Sequence, residues 1–142
     1  MHLTRYSDYS LRVLMYLALK PEKLANITDI AESFNISRNH LIKVVNHLGK
    51  LGYITSKRGR GGGLELAYES NSISIGEVIR NTEQTLDVVN CAEPACPFVP
   101  ACNLKSVLNE ATEAFLNVLD DYTLEDIIVN KAGLKRLLAS AI

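Results

Sequence analysis

The chain has 142 residues, 47% of them hydrophobic and 22% charged, which suits one domain with its own core and excludes a low-complexity or repetitive chain. Its net charge of −1 hides an asymmetry, because residues 1–70 hold ten lysines and arginines against six acids, whereas residues 71–142 hold five against ten. No apolar run is long enough to span a bilayer and none resembles a secretory signal, so we expect a cytoplasmic protein without membrane contact.

The N-terminal segment predicts a helix that is buried on several sides. Residues 6–19 are apolar around most of the circumference that a helix would have. Pro21 is expected to end this helix. Asp8 and Arg12 lie four residues apart within it, a spacing at which an acid and a base pair on a helix surface.

Two short amphipathic segments then predict a helix-turn-helix over about residues 28–51. Thr28 is expected to begin the first helix, and Asn35-Ile36 to interrupt it. Ser37 is expected to cap the second helix, which carries apolar residues at helical spacing and stops at Gly52. Two helices joined by so short a turn are typical of DNA-binding proteins.

A β-hairpin is predicted next, over about residues 53–68. A strand-like run at residues 53–58 and an alternating run at residues 64–68 flank a glycine-rich turn. A hairpin directly after a recognition helix is the wing of a winged helix. The glycines lack the Lys-Ser/Thr of a P-loop and lie between two strands, which disfavours that motif.

The second half predicts helices on either side of a proline-rich loop. A short helix at residues 75–82 precedes the loop, and a long helix runs from Cys102 to about Asp121. One regular apolar stripe follows the long helix, and its length predicts packing on a partner chain. The stripe comprises Leu104, Val107, Leu108, Ala111, Phe115, Val118 and Leu119. Two further helical pieces are expected around residues 124–129 and 134–139.

These elements predict a mainly α protein with a small β-hairpin: a winged helix-turn-helix joined to a long dimerisation helix. We expect a winged helix-turn-helix DNA-binding domain at residues 1–80 and a cysteine-bearing loop at residues 81–101. The dimerisation helix and the C-terminal helices then occupy residues 102–142.

A surface for double-stranded DNA is predicted on the recognition helix and the wing. Residues 37–61 hold six lysines and arginines and no acid, which suits contact with a dense line of phosphates. The polar start of the helix suits a major groove, and the arginines and glycines of the wing tip suit a minor groove. The candidate DNA-binding residues are Thr28, Ser37, Arg38, Asn39, His40, Lys43, Lys57, Arg58, Gly59, Arg60 and Gly61. A basic face on a winged-helix module that binds another protein is the alternative.

All three cysteines lie in the proline-rich loop, with the spacing Cys91-x4-Cys96-x5-Cys102. An odd number in a reducing compartment disfavours a disulfide framework. Three thiolates on a short stiff loop can converge on a metal centre, and a helix N-terminus would stabilise the thiolate of Cys102. Zinc sites and iron–sulfur clusters usually take four protein ligands, so a fourth must come from elsewhere. From the spacing alone, metal binding, thiol redox chemistry and inert packing all stay open.

These features resemble one family over essentially the whole chain, the NsrR-type nitric-oxide-sensing repressors, which are relatives of the cluster-biogenesis regulator IscR. The resemblance rests on the opening residues 3–9 (LTRYSDY), the recognition start at residues 37–40 (SRNH) and the wing at residues 58–63 (RGRGGG). It also rests on the cysteine spacing after Asn90 and on residues 119–124 (LDDYTL).

The resemblance implies a homodimer, formed through the long helix, that represses nitric-oxide-detoxification genes on operator DNA. It implies an iron–sulfur cluster on Cys91, Cys96 and Cys102, with [4Fe-4S] favoured and [2Fe-2S] the other form described for such proteins. In the family, the fourth ligand has been assigned to an N-terminal aspartate of the partner chain, and Asp8 holds that position here. Nitric oxide is the implied signal, which relieves repression by reacting with the cluster.

Two other functions compete with this one. The same winged helix could be switched by zinc or by cysteine oxidation. A thiol-disulfide enzyme is disfavoured, because the chain lacks Cys-x-x-Cys and shows no base near the cysteines. We therefore expect a regulator rather than an enzyme.

Overall fold

A computed structural model describes residues 2–140 of the chain. The elements, in chain order, are α1 (Arg5–Leu19), α2 (Ile27–Phe34), α3 (Arg38–Lys50), β1 (Ile54–Lys57), β2 (Gly63–Leu66), a 3-10 turn (Ser70–Ser72), α4 (Ile75–Thr82), α5 (Leu104–Asp120), α6 (Leu124–Ile127) and α7 (Lys131–Ser140). The mainly α fold with one hairpin is therefore confirmed. The proposed domain boundaries stay a prediction.

The helix-turn-helix begins earlier than expected. Asn26, not Thr28, caps α2, because its Oδ1 accepts the backbone N–H of Asp29 at 2.8 Å. Asn35 ends α2 in a left-handed conformation, with φ of 50°, as the predicted break required. Ser37 occupies the N-cap position of α3, but its side chain makes no capping hydrogen bond.

A glycine directs the chain from the recognition helix into the wing. Gly52 adopts a φ of 83°, and the N–H of Tyr53 reaches back to the carbonyl of Leu48 at 3.0 Å. This arrangement closes α3 and aims the chain into β1. β1 and β2 are antiparallel, with Ile54 opposite Leu66 and Lys57 opposite Gly63. The chain before α2 pairs with the outer edge of β2, because Ala25 and Leu64 exchange both backbone hydrogen bonds.

The core lies mainly within the N-terminal half. α1 is buried on several sides as predicted, and Val13, Leu14 and Tyr16 are at most 2% exposed. α1 contacts α3, α4 and β2, so the recognition helix and the wing both pack against it. Burial of such side chains is the main driving force for this arrangement.

The apolar residues of α5 form two separate faces, whereas the sequence predicted a single stripe. Leu116 is fully buried, and the inward face against α4 also includes the partly buried Phe115 and Leu119. The other apolar face is exposed and follows a spacing of three and four residues, as in a coiled coil. This exposed seam comprises Leu104, Val107, Ala111, Ala114 and Val118.

Candidate nucleic-acid interface and cysteine loop

The recognition helix α3 presents one polar face to solvent. Asn39 and Lys43 lie on this face, and the structure adds Asn46 and Lys50, which were not among the candidate residues. Asn39, Lys43, Asn46 and Lys50 follow one another at steps of four, three and four residues, which is a helical spacing that the sequence already contained. The opposite face comprises the buried residues Leu41, Val44, Val45 and Leu48.

All of the candidate DNA-binding residues are exposed. They lie on α2, at the start of α3 and along the wing. The set comprises Thr28, Ser37, Arg38, Asn39, His40, Lys43, Lys57, Arg58, Gly59, Arg60 and Gly61. Their exposure makes them accessible to a duplex, whereas their individual roles stay a prediction.

Helix α1 supports the recognition helix through its aromatic side chains. The hydroxyl of Tyr6 donates to the carbonyl of Lys43 at 3.3 Å, and its ring lies 5.5 Å from that of His47. Partial burial raises the pKa of Tyr6 above its usual value. The rings of Tyr9 and His40 are 6.5 Å apart. Tyr6 and Tyr9 of α1 thus lie next to His47 and His40, which are seven residues apart on the recognition helix.

The wing tip requires glycine. Gly59 and Gly61 adopt φ values of 100° and 77°, which other residues rarely adopt. A Cβ on Gly62 would lie 2.2 Å from the carbonyl oxygen of Lys57. These glycines hold Arg58 and Arg60 on a tight exposed turn.

One of the wing cations is engaged by an acid of the same hairpin. The ammonium of Lys57 lies 2.9 Å from Oε1 of Glu65 and 3.1 Å from its Oε2. The hydroxyl of Thr55 donates to the same carboxylate at 3.3 Å. The hydrogen bond from Lys57 is the main reason that the pKa of Glu65 lies below its usual value. Sequence reasoning missed Glu65, because it considered only the acid-free stretch before it.

The cysteine loop is organised by its own backbone. Oδ1 of Asn90 accepts the N–H groups of Ala92 and Glu93 at 2.9 and 3.2 Å, which forms a turn immediately around Cys91. The N–H of Cys96 then donates to the carbonyl of Cys91 at 3.1 Å. Both cysteines are partly exposed, and neither forms a disulfide.

Cys102 precedes the long helix instead of beginning it. Helix α5 starts at Leu104, and the N–H of Leu104 donates to Sγ of Cys102 at 3.4 Å. An N–H at a helix start can stabilise a thiolate, so this role of the helix for Cys102 stays a prediction. The thiol is exposed.

Within the single chain, the expected ligands are not gathered into a cage. Among residues 2–140, no three His, Cys, Asp or Glu side chains are placed to hold a metal ion. Asp8 instead pairs with Arg12, whose Nε lies 2.9 Å from Oδ1 of the aspartate. The helix ion pair expected from their spacing is confirmed, and the ligand set stays a prediction.

A buried chain of hydroxyl groups connects α1 to the end of α4. The hydroxyl of Thr82 donates to Oγ of the fully buried Ser7 at 2.9 Å. Glu83 follows directly and accepts the N–H of Thr4, the cap of α1, at 2.7 Å. The start of α1 is thus held at the point where the chain enters the cysteine loop. Sequence reasoning missed this network because isolated serines and threonines carry no periodic signal.

Known proteins resemble this chain over nearly its full length. A family model described as "Rrf2: Iron-dependent Transcriptional regulator" matches residues 3–130. The chain belongs to the Rrf2 family. Among Rrf2 relatives, the HTH-type transcriptional regulator NsrR of Bacillus subtilis is 51% identical, over 97% of each chain. The NsrR of Bacillus licheniformis is 52% identical, over 98% of this chain and all of its own.

Solved structures of Rrf2-type regulators share the fold. CymR, the global cysteine regulator of B. subtilis, superposes with a TM-score of 0.73 at 28% identity, over 92% of this chain and 98% of its own. T. potens IscR gives a TM-score of 0.73 at 27% identity, over 92% of this chain and 88% of its own. The chain is therefore a winged-helix transcriptional regulator rather than an enzyme. None of the helices described for residues 2–140 has the length and apolar character needed to cross a membrane.

Proposed function

We propose that this Rrf2 protein represses transcription as a homodimer on operator DNA, and that an iron–sulfur cluster sets its DNA affinity. Cys91, Cys96 and Cys102 are the proposed ligands, with Asp8 of the partner subunit as the fourth. We favour a [4Fe-4S] cluster over a [2Fe-2S] cluster and take nitric oxide as the signal.

The observation that carries this proposal is the state of the three thiols. None of them is in a disulfide, and each is at least partly exposed. Cys102 accepts a backbone N–H at a helix start, and Asn90 holds the turn around Cys91. Soft thiolates are the ligands that iron–sulfur clusters take in proteins, so the donor set fits. When bound, the cluster would supply an iron centre that reacts with nitric oxide.

The chain offers a route from the loop to the DNA-reading surface. Asp8 lies on α1, and Tyr6 and Tyr9 of the same helix contact α3. A displacement of α1 would therefore change the position of the recognition helix. Dimeric DNA readers need a fixed separation between two recognition helices, so such a displacement would alter operator affinity.

The test is purification without oxygen, followed by counting of iron and inorganic sulfide per chain. Operator binding is then measured before and after exposure to nitric oxide. We expect a coloured protein that contains both elements and loses DNA affinity after the exposure. A colourless preparation with zinc, or with neither iron nor sulfide, would contradict the proposal. An operator affinity that is unchanged after loss of the cluster would also contradict the proposal.

A further inference from the structure

We propose that Glu65 is a built-in competitor of DNA at the wing: it holds Lys57 in the free protein, and Lys57 exchanges this carboxylate for a DNA phosphate on binding. The inference depends on DNA binding by the wing but not on the cluster. Glu65 lies outside the acid-free stretch of residues 37–61, and in this proposal it lowers the affinity for DNA.

The hairpin register places the acid where it can reach the lysine. Glu65 lies directly opposite Thr55 on the antiparallel pair, and Lys57 is two residues beyond Thr55 on the same strand. Residues two apart on a strand share a face, so Glu65 and Lys57 are diagonal neighbours. Both carboxylate oxygens lie within 3.1 Å of the ammonium.

The acid stands alone in a basic region. Between residues 33 and 68, Glu65 is the only Asp or Glu, against six lysines and arginines. Its effect on that region is therefore not diluted by other carboxylates of the same segment. A glutamate with its ordinary pKa is already charged at neutral pH, and the hydrogen bond from Lys57 lowers the pKa of Glu65 further, so the carboxylate is available to compete with phosphate.

The pair is open enough to exchange. The side chain of Lys57 is 61% exposed and that of Glu65 is 35% exposed. Exposed ion pairs contribute little to the free energy of folding, so a phosphate can replace the carboxylate with a small loss of free energy. Within residues 2–140, neither Arg58 nor Arg60 takes part in an ion pair. The wing thus carries two cations ready for phosphates and one that must first leave its partner.

The experiment measures the affinity of the full-length protein for a mixed-sequence DNA duplex across a salt series. Glu65→Gln keeps the size of the side chain and removes its charge, so we expect binding two- to five-fold tighter at low salt. The gain should shrink as salt rises, because screening weakens exposed pairs. Glu69→Gln is the matched control, since Glu69 is exposed, lies just beyond β2 and joins none of the described ion pairs. It should leave the affinity close to that of the wild type.

A double-mutant cycle separates competition from a general effect of charge. Lys57→Gln should cost more affinity in the Glu65→Gln background than in the wild type, because only there is the lysine free from the start. In that background it should also reduce the slope of log affinity against log salt by about one. Equal costs of Lys57→Gln in both backgrounds would overturn the proposal.

Other outcomes also decide the matter. Weaker binding by Glu65→Gln would show that the acid positions the lysine instead of competing for it, which overturns the proposal. A gain matched by Glu69→Gln would reduce the effect to net charge and overturn it too. A wild-type protein that binds no duplex at low salt would remove the proposed function and this inference together. Wild-type binding with an unchanged Glu65→Gln variant would remove this inference alone.

Discussion

The DNA-reading part and the cysteine-loop part of this molecule differ in how many of their side chains the single chain buries. Between residues 5 and 82, four helices and a hairpin share a core with many side chains under 5% exposed. From residue 83 to residue 115, by contrast, no residue is buried. The core of the DNA-reading part therefore lies within the described chain, whereas the cysteine loop and the seam of α5 leave their side chains open to solvent.

This difference indicates where a signal can act. A well-packed core resists change, because its side chains interlock at close to crystal density. A loop held by a few turns has a low local stability and can be reordered by a ligand or a partner. Helix α1 lies between the two regions, because Glu83, where the loop begins, accepts the N–H of its cap Thr4, and its Tyr6 and Tyr9 contact the recognition helix.

The largest effect should follow from a charge on the exposed seam of α5. Val118 is 59% exposed on this seam, so Val118→Asp does not disturb the core of the single chain. In a dimer it would bury an unpaired charge, which is strongly unfavourable. We expect a monomer, and operator affinity lower by about a hundred-fold or more because two linked half-sites no longer bind together. Light scattering and DNA titration measure the two effects.

Asn117→Asp provides the matched control for that substitution. Asn117 is the neighbouring residue, is exposed and lies off the apolar seam. It should remain dimeric with operator affinity close to that of the wild type. If Val118→Asp is also dimeric, the seam is not the interface and the proposed dimer needs another surface.

The next effect compares one apolar side chain from each region. Leu14 is fully buried, so Leu14→Ala should lower the free energy of unfolding by about 2–5 kcal/mol. Val99, in the cysteine loop, is 54% exposed, and Val99→Ala should change it by less than about 0.5 kcal/mol. Urea titrations at one fixed protein concentration measure both. Similar losses of stability would show that the loop packs as tightly as the core.

The same contrast explains what the sequence could predict. Helix α4 was predicted with the observed bounds, since Ile75, Val78 and Ile79 repeat at helical spacing and all are buried. The hairpin was predicted because glycines punctuate two short strands. The start of α2 was wrong by one residue, since Thr28 was expected to begin the helix and Ile27 begins it, after the cap Asn26.

The candidate site was only partly predictable. Exposure of the DNA-reading residues follows from periodicity, because a buried face leaves the opposite face to solvent. The exposed seam of α5 does not follow from periodicity. Val107 and Leu108 belong to one apolar stripe in the sequence, and only the packing of α4 shows which apolar residues of α5 face inward. The pairing of Glu65 with Lys57 depends on hairpin register, and spacing along the chain does not reveal register.

A change in stability as small as that of Val99→Ala is expected at Asp8, where the two regions are proposed to meet. Its pair with Arg12 is more than 40% exposed on both sides, so Asp8→Ala should change the free energy of unfolding by under about 0.5 kcal/mol. If Asp8 reaches the loop of the partner subunit, the same variant should narrow the difference in operator affinity between cluster-containing and cluster-free protein. Glu32→Ala, which removes an exposed acid from α2, should leave that difference unchanged. An Asp8→Ala protein that binds and releases DNA like the wild type would remove the aspartate from the proposed ligand set, and the contact of Thr4 with Glu83 would remain as the described link between α1 and the start of the loop.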